Sequence, residues 1–121
     1  MPYTFYKVLH LVGIFLFFLS LGGIALFTIN GGKKTTNTWR AKVAITHGIA
    51  TLLVLIGGFG LAAKLYGTTW PMWLYPKILI WFVFAGVLGA AYRSKAIAQS
   101  LWIALPVLGL IASLLAIYKP F

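Results

Sequence analysis

Four long apolar segments, separated by short polar stretches, constrain this chain more than any other feature of its sequence. As a helix, each is long enough to cross the roughly 30 Å of hydrocarbon in a bilayer. Helices satisfy their backbone hydrogen bonds within one segment, which lipid requires. The sequence therefore predicts an all-α integral membrane protein, a four-helix up-down-up-down bundle forming a single transmembrane domain over residues 1–121. We place its helices at about 4–29, 41–65, 71–92 and 98–118.

The amino-acid composition narrows the chemistry that this chain can carry out. Hydrophobic residues make up 62% of the chain and charged residues 8%, with ten Lys and Arg, two His, and no Asp, Glu or Cys. A Ser-His-Asp triad, paired-carboxylate hydrolysis, carboxylate sites for Ca²⁺ or Mg²⁺ and thiolate chemistry are therefore impossible within one chain. Histidine, lysine, arginine, aromatic and hydroxyl groups remain, and whether the protein is an enzyme stays open.

The net charge of +10 at pH 7 indicates anionic partners. We expect anionic membrane lipids near the basic loops, a homo-oligomer or an acidic partner subunit, and no nucleic acid. Six basic residues lie on the side of loop 1 (residues 30–40) and loop 3 (residues 93–97), and four lie on the side of loop 2 (residues 66–70) and the termini. The six are Lys33, Lys34, Arg40, Lys42, Arg93 and Lys95, and the four are Lys7, Lys64, Lys77 and Lys119. The positive-inside rule then places loops 1 and 3 in the cytoplasm and both termini outside.

One lysine, Lys77, lies inside the apolar run of the third segment, residues 70–93. A cation costs a few kcal/mol at the middle of a bilayer, so Lys77 either extends to the headgroups or meets a group inside the protein. His10 stands at the same offset from the start of the first segment. Because helices 1 and 3 are parallel in the predicted topology, we expect His10 and Lys77 at one depth, roughly 9 Å inside the helix start.

The second histidine, His47, is expected near the cytoplasmic end of helix 2, roughly 18 Å from the level of His10. Two imidazoles that bind one haem iron lie about 4 Å apart, so these two histidines of one chain cannot share an iron. Each polar residue also has a structural interpretation: an interfacial histidine at 10, a lipid-surface lysine at 77, and a helix-start polar residue at 47. His47 stays a secondary candidate ligand.

Two short motifs resemble a group of small four-helix bacterial membrane proteins. KVLH (residues 7–10) opens helix 1, and WLYPK (residues 73–77) begins helix 3. The group includes the HemJ-type protoporphyrinogen oxidases, CopD-like proteins and the SirB family. In HemJ-type proteins, a helix-1 histidine and a helix-3 lysine are the proposed axial ligands of a b-type haem, and His10 and Lys77 match them by residue type, helix and depth. The resemblance implies a haem protein of the bacterial inner membrane, acting in electron transfer or porphyrinogen oxidation.

A haem b is compatible with the residues around these two positions. Gly13, one turn from His10, would admit a flat macrocycle between the helices. The expected walls are Phe17, Trp73 and Trp81. Lysines on the outer side would meet the two propionates, and Lys77 would ligate iron as a neutral amine. Two nitrogen ligands leave no open position on the iron and favour electron transfer over oxygen binding.

Two other functions remain open. The chain could be a non-catalytic accessory or assembly subunit of a larger membrane complex, docking through glycine-rich faces and positive charge. The absence of carboxylates favours this alternative, since so many active sites need them. An anion or small-solute channel also fits the positive charge, although four short helices leave little room for a pore within one copy.

Overall fold

The protein is all-helical over residues 3–118, which are the residues that the computed structural model describes. Its elements are α1 (Tyr3–Ile29), a 3₁₀ turn (Lys34–Thr36), α2 (Arg40–Tyr66), α3 (Leu74–Gly86), α4 (Leu88–Ala91) and α5 (Lys95–Tyr118). By length and composition, α1, α2 and α5 can each cross a membrane, whereas the apolar α3 is shorter, at 13 residues. The all-α prediction is therefore confirmed, with three membrane-span candidates and one shorter apolar helix.

The third predicted helix, residues 71–92, starts later than expected. Pro71 does not begin it; the N–H of Leu74 instead donates to the Pro71 carbonyl at 3.1 Å, which closes a turn, and α3 starts at Leu74. Pro76 explains the delay, because a proline has no N–H and disfavours the helical conformation of the residue before it. The helix begins where Pro76 falls within the first turn, whose amides need no partner in the helix.

The same predicted helix is also interrupted, at Val87, between α3 and α4. Val87 has φ −92° and ψ 0°, and Gly86 and Gly89 flank it. A glycine inside a helix costs roughly 1 kcal/mol relative to alanine, so two close together weaken the helix locally. His47 of α2 also lies 2.8 Å from the carbonyl oxygen of Phe84, in the last turn of α3. The helix therefore ends where its backbone is weakest and where a side chain from outside hydrogen-bonds one of its terminal carbonyls.

Helices α1 and α2 form an antiparallel pair in close contact. A Cβ placed on Gly57 would lie 2.5 Å from the backbone nitrogen of His10, and one on Gly13 would lie 2.8 Å from the backbone nitrogen of Val54. From His10 to Gly13 along α1, the facing residue in α2 changes from Gly57 back to Val54, so the two helices are antiparallel. Only a residue without a side chain permits backbones to approach this closely, as is common between helices in lipid.

Helix α3 is antiparallel to α2. The Nε1–H of Trp81 donates to the carbonyl of Thr51 at 3.4 Å, and His47, one turn earlier in α2, hydrogen-bonds the carbonyl of Phe84, which is later in α3. Since α2 also opposes α1, the helices that carry His10 and Lys77 run in the same direction. These contacts also place the second half of α3 against the first half of α2, the half that follows loop 1.

Helix α5 is antiparallel to α1. A Cβ on Gly109 would lie 3.0 Å from the ring of Phe18, and one on Gly22 would lie 4.0 Å from the ring of Trp102. Phe18 precedes Gly22 in α1, whereas the partner of Phe18, Gly109, follows the partner of Gly22, Trp102, in α5. Successive long segments therefore alternate in direction, and α5 completes the wall between α1 and α3.

Loops 1 and 3 meet at one end of the molecule. The side-chain amide of Asn37, in loop 1, donates to the hydroxyl of Tyr92, at the C-terminal end of α4, at 2.9 Å. The six basic residues of these two loops and the adjoining helix starts are thus gathered at this end. The opposite end carries loop 2.

A small apolar core lies at the middle of the helices, and many large apolar side chains point outward. The core cluster contains Phe17, Leu21, Ala50, Val54, Phe84 and Leu105. Exposed apolar residues recur at helical spacing along α2, for example Ile45, Ile49, Leu52 and Ile56. Apolar surface of this extent is unusual on a soluble monomer and is typical of helices that contact lipid or other helices.

Candidate functional site

A cavity of about 880 Å³ lies between α1, α2, α3 and α5. Most of its lining is apolar. The polar side chains among the lining residues are Lys7, His10, Tyr66, Trp73, Lys77, Trp81 and Ser113. This volume falls in the upper part of the range of about 300–1,000 Å³ that is typical of sites for small molecules and cofactors. A large apolar cavity with few polar groups is the default candidate for a binding site.

His10 is held in one orientation by the backbone of α2. Its Nδ1 lies 3.2 Å from the carbonyl oxygen of Val54. A carbonyl oxygen only accepts hydrogen bonds, so Nδ1 carries the hydrogen and donates it. The other ring nitrogen, Nε2, is therefore the one with a lone pair.

Two adjacent glycines of α2 make room for this imidazole. Gly57 lets the backbone of α1 approach, and a Cβ on Gly58 would lie 3.3 Å from both Cε1 and Nδ1 of the His10 ring. A side chain at Gly58 would crowd the ring tightly against its neighbours. The Gly57-Gly58 pair therefore seats His10 on α2 at the edge of the cavity.

The Nε2 atom of His10 is buried and has no hydrogen-bond partner among the described residues. A buried polar atom that lacks a partner costs roughly 1–3 kcal/mol, so such an atom calls for an explanation. The hydroxyl oxygen of Thr28 is the other buried side-chain atom in this state in the described range. Thr28 lies near the opposite end of α1 and does not line the cavity, whereas His10 does.

Lys77 is a half-buried residue of α3 that lines the cavity. His10 lines the same cavity. The sequence has no Asp or Glu side chain that could pair with the Lys77 ammonium. The structure thus brings a histidine and a lysine, 67 positions apart in sequence, to one apolar cavity.

The two tryptophans expected at the site line the cavity, whereas Gly13 does not. Trp73 is buried at the start of α3, and Trp81 is anchored through its Nε1–H to the carbonyl of Thr51. Gly13 instead packs against Val54, where it serves the contact between α1 and α2. Phe17, the third expected wall, also lines the cavity and belongs to the core.

His47 lies outside the cavity lining and is buried in the helix packing. Its Nε2 lies 2.8 Å from the carbonyl oxygen of Phe84, so this nitrogen carries the hydrogen and donates it. Its ring packs against Phe17, with 5.4 Å between ring centroids. The geometry gives His47 a role in joining α2 to the end of α3.

Charged groups reach the cavity only at its loop-2 end. Lys7 is an exposed residue of α1 that lines the cavity, and Tyr66 closes α2 on the same side. Lys64 is exposed but is not a lining residue, and Lys119 lies outside the described residues. An anionic group of a ligand would therefore meet Lys7 first, near the outer edge of the cavity.

Several residues that shape the cavity were not expected at the site. They are Gly58, Tyr66, Pro106, Gly109 and Ser113. Pro106 and Gly109 lie about one turn apart on α5, and neither fills space as a large side chain would. Their spacing on one helix face is a signal in the sequence, but it becomes a cavity wall only when α5 is packed against α1 and α3.

No family model, no curated protein and no solved structure matches this chain. The assignment of a function therefore depends on the cavity, its two nitrogen-bearing side chains and the hydrogen bonds around them.

Proposed function

We propose that this chain is an integral membrane four-helix bundle of up-down-up-down topology that binds haem b in the cavity, with the Nε2 of His10 as an axial ligand. The observation that carries the proposal is the buried lone pair of this nitrogen, which no described residue satisfies. A haem iron would supply the missing partner. An apolar cavity of about 880 Å³ gives a flat, mostly apolar macrocycle room beside it.

The hydrogen bond of His10 to α2 supports ligation. Metal-binding histidines usually donate their second ring N–H to a carbonyl or a carboxylate, which fixes the ring and the tautomer. His10 donates Nδ1–H to the Val54 carbonyl, so its Nε2 lone pair is already oriented before any ligand binds. No group of three or more His, Cys, Asp or Glu in the described part of the chain could hold a bare metal ion. A porphyrin brings its own four nitrogens and needs only axial ligands.

Lys77 is the proposed second axial ligand. Lys77 lines the same cavity, and the sequence has no Asp or Glu side chain that would hold its amine in the charged form. Lys77 would ligate iron as the neutral amine, because the ammonium form has no lone pair. When bound by two nitrogen ligands, the haem would supply one-electron transfer and not oxygen binding.

The remaining lining residues would position the cofactor and keep out water. Phe17, Trp73 and Trp81 provide flat apolar walls, and Lys7 would meet a carboxylate at the open edge. The resemblance to HemJ-type proteins extends the proposal to porphyrinogen oxidation in the bacterial inner membrane. Of the two activities, electron transfer needs fewer residues beyond those present in the cavity.

The absorption spectrum of the purified protein tests this function. Haem-replete expression and purification in detergent should give a Soret band, and His10→Ala should lower the bound haem on the order of tenfold or more. Lys77→Met should retain haem and shift the band, because one axial ligand changes. Two matched controls, His47→Gln and Lys64→Met, replace the same residue types outside the cavity and should leave the spectrum unchanged.

Two results would contradict the haem proposal. One is a wild-type protein without a Soret band after haem-replete expression. The other is a His10→Ala variant that binds as much haem as the wild type, which would show that any bound haem sits elsewhere.

The second candidate function is an accessory subunit of a larger membrane complex. Ten basic side chains and no acidic side chain leave a large net positive charge on the chain, which favours an acidic partner. Native electrophoresis of gently solubilised membranes should then show the chain in a larger assembly that dissociates as salt is raised. Migration as a single chain or a homo-oligomer at low salt would count against this function.

A further inference from the structure

A second, smaller cavity of about 220 Å³ lies at the end of the molecule where loops 1 and 3 meet. It is formed by the 3₁₀ turn, the start of α2 and the end of α4. Its lining residues are Lys34, Arg40, Ala41, Ala44, Leu88, Gly89 and Tyr92. We call it the basic cavity. The volume is below the range of about 300–1,000 Å³ of sites for whole small molecules, so it fits a headgroup-sized anion.

The hydroxyl of Tyr92 is left with a free donor in this cavity. The side-chain oxygen of Asn37 accepts the backbone N–H of Trp39 at 3.0 Å, which fixes the orientation of the Asn37 amide. Its nitrogen then donates to the Tyr92 oxygen at 2.9 Å. Tyr92 is therefore an acceptor in this bond, and its own O–H donates to no acceptor among the described residues.

Two cationic residues line the same cavity as Tyr92, and the sequence has no acidic side chain that could neutralise them. Lys34 and Arg40 both line the basic cavity, and the sequence contains no Asp or Glu. The guanidinium of Arg40 offers a planar pair of donors suited to phosphate oxygens, and Lys34 adds a compact charge. A phosphodiester could therefore receive two charge-assisted contacts and one phenol hydrogen bond at this position.

Most of the lining surface is apolar. Ala41 and Ala44 stand about one turn apart on α2, and Leu88 and Gly89 belong to α4. A ligand that fills the cavity thus meets mainly small apolar residues, with Lys34 and Arg40 in the same lining. The apolar residues would add nothing to the binding of free phosphate. A phospholipid carries an acyl chain next to its charged group, and this chain could contact them.

We propose that the basic cavity binds the headgroup of an anionic phospholipid, with the phosphodiester on Lys34, Arg40 and the Tyr92 hydroxyl. The acyl chain runs past Ala44 and Leu88. Basic pockets between membrane helices on the cytoplasmic side are typical binding sites for anionic lipid headgroups. The proposal depends on the membrane placement given under the proposed function, and it is independent of haem. A lipid bound here bridges loop 1 and the start of α2 to the end of α4.

Lipid retention during purification tests the proposal. The full chain is reconstituted with phosphatidylglycerol or phosphatidylcholine, exchanged into detergent, and its bound lipid is measured by native mass spectrometry. We expect the wild type to retain phosphatidylglycerol in preference to phosphatidylcholine. The double variant Lys34→Gln/Arg40→Gln should bind phosphatidylglycerol at least on the order of tenfold more weakly, since a hydrogen bond between a charged group and phosphate contributes about a tenfold factor or more.

A matched double variant separates a site from general attraction. Lys33→Gln/Lys42→Gln removes two charges from the same end without touching the cavity lining. It should keep phosphatidylglycerol affinity within about twofold of the wild type. Equal loss in both double variants, or loss in neither, would overturn the proposal. Equal retention of the two lipids by the wild type would overturn it as well.

Two further measurements assign the ligand and the cause. Tyr92→Phe should weaken retention by about fivefold, as expected for one hydrogen bond, with the thermal midpoint measured to detect any effect of the lost Asn37 bond. Displacement of the lipid by millimolar inorganic phosphate would show a free-anion site and overturn the lipid assignment. A protein that retains phosphatidylglycerol but shows no Soret band would refute only the haem proposal. A chain that is not extracted with membranes would refute both.

Discussion

At the scale of single residues, the two histidines show how a neighbouring carbonyl decides the role of a side chain. His10 gives its Nδ1 hydrogen to Val54 and keeps an unpaired Nε2, whereas His47 uses Nε2 to bind Phe84. Both were candidates in the sequence because both lie in apolar helices. The position of the carbonyl that faces each ring distinguishes a candidate ligand from a residue that joins two helices. The sequence around each histidine does not contain that position.

The role of His47 predicts a loss of stability on its replacement. His47→Phe should lower the free energy of unfolding by about 1–3 kcal/mol, because the carbonyl of Phe84 is one of the last four of α3 and loses its donor. His47→Gln keeps a donor and should cost less. Thermal unfolding in detergent, followed by circular dichroism, measures both effects.

Thr46→Ala is the control for this comparison. The Thr46 hydroxyl donates only to the Lys42 carbonyl of its own helix, so its removal should change stability by less than about 0.5 kcal/mol. If His47→Phe were no less stable than Thr46→Ala, the bond between α2 and α3 would have no structural importance.

At the scale of the helices, glycines set the distance between α1 and α2. Gly57 lies directly against the backbone of His10, so that the imidazole reaches the Val54 carbonyl. The abundance of small residues predicts close packing in lipid, but it does not show which glycine meets which helix. For that reason Gly13 was expected beside the cofactor although it belongs to the helix contact, and Gly58 was overlooked.

Gly57→Ala should separate the two helices. Its Cβ would lie 2.5 Å from the His10 nitrogen and 2.7 Å from the Tyr6 carbonyl oxygen, and neither backbone atom can rotate away. We expect a loss of about 1–3 kcal/mol in unfolding free energy, as for other overpacked sites. Thermal unfolding in detergent measures it.

Gly48→Ala is the matched control on the same helix. A Cβ there meets no atom within 4 Å, so the substitution should be neutral or stabilise by up to about 1 kcal/mol through helix propensity. Equal stability of the two variants would show that α1 and α2 do not depend on close contact at Gly57.

The segment around α3 shows where hydropathy fails to predict boundaries. The apolar run of residues 71–92 reads as one helix, but Pro76 delays its start and the glycines around Val87 interrupt it. Each of these residues is visible in the sequence. Their effect depends on competing hydrogen bonds, such as that from His47, which the apolar pattern does not report.

At the scale of the whole molecule, alternating helix direction and the meeting of loops 1 and 3 determine which groups share an end. Long apolar segments with short connections suffice to predict this arrangement. The cavity could not be predicted, because its volume arises from the relative positions of four helices. The sequence nonetheless indicated His10, Lys77, Trp73 and Trp81, which all line it.

Single cysteines test the orientation cleanly, since the chain has none. Thr68→Cys lies in loop 2 and should react with a membrane-impermeant maleimide in intact spheroplasts. Thr35→Cys lies in loop 1 and should react only after permeabilisation, because the more basic side is expected in the cytoplasm. The reverse pattern would invert the orientation, and labelling of both without permeabilisation would contradict an odd number of spans between the two loops.

The close contact of α1 with α2 also has a consequence for biogenesis. The Val54 carbonyl and the Gly57-Gly58 pair, which hold the His10 ring on α2, belong to residues that leave the ribosome before loop 2 is complete. A nascent chain that has emerged only as far as Tyr66 can already fold this hairpin with the imidazole in its final tautomer, since chains begin to fold from their N-terminal part during synthesis. Lys77 and α5 are synthesised later. The cavity would therefore close around a ligand only after the His10 ring has already been fixed on α2.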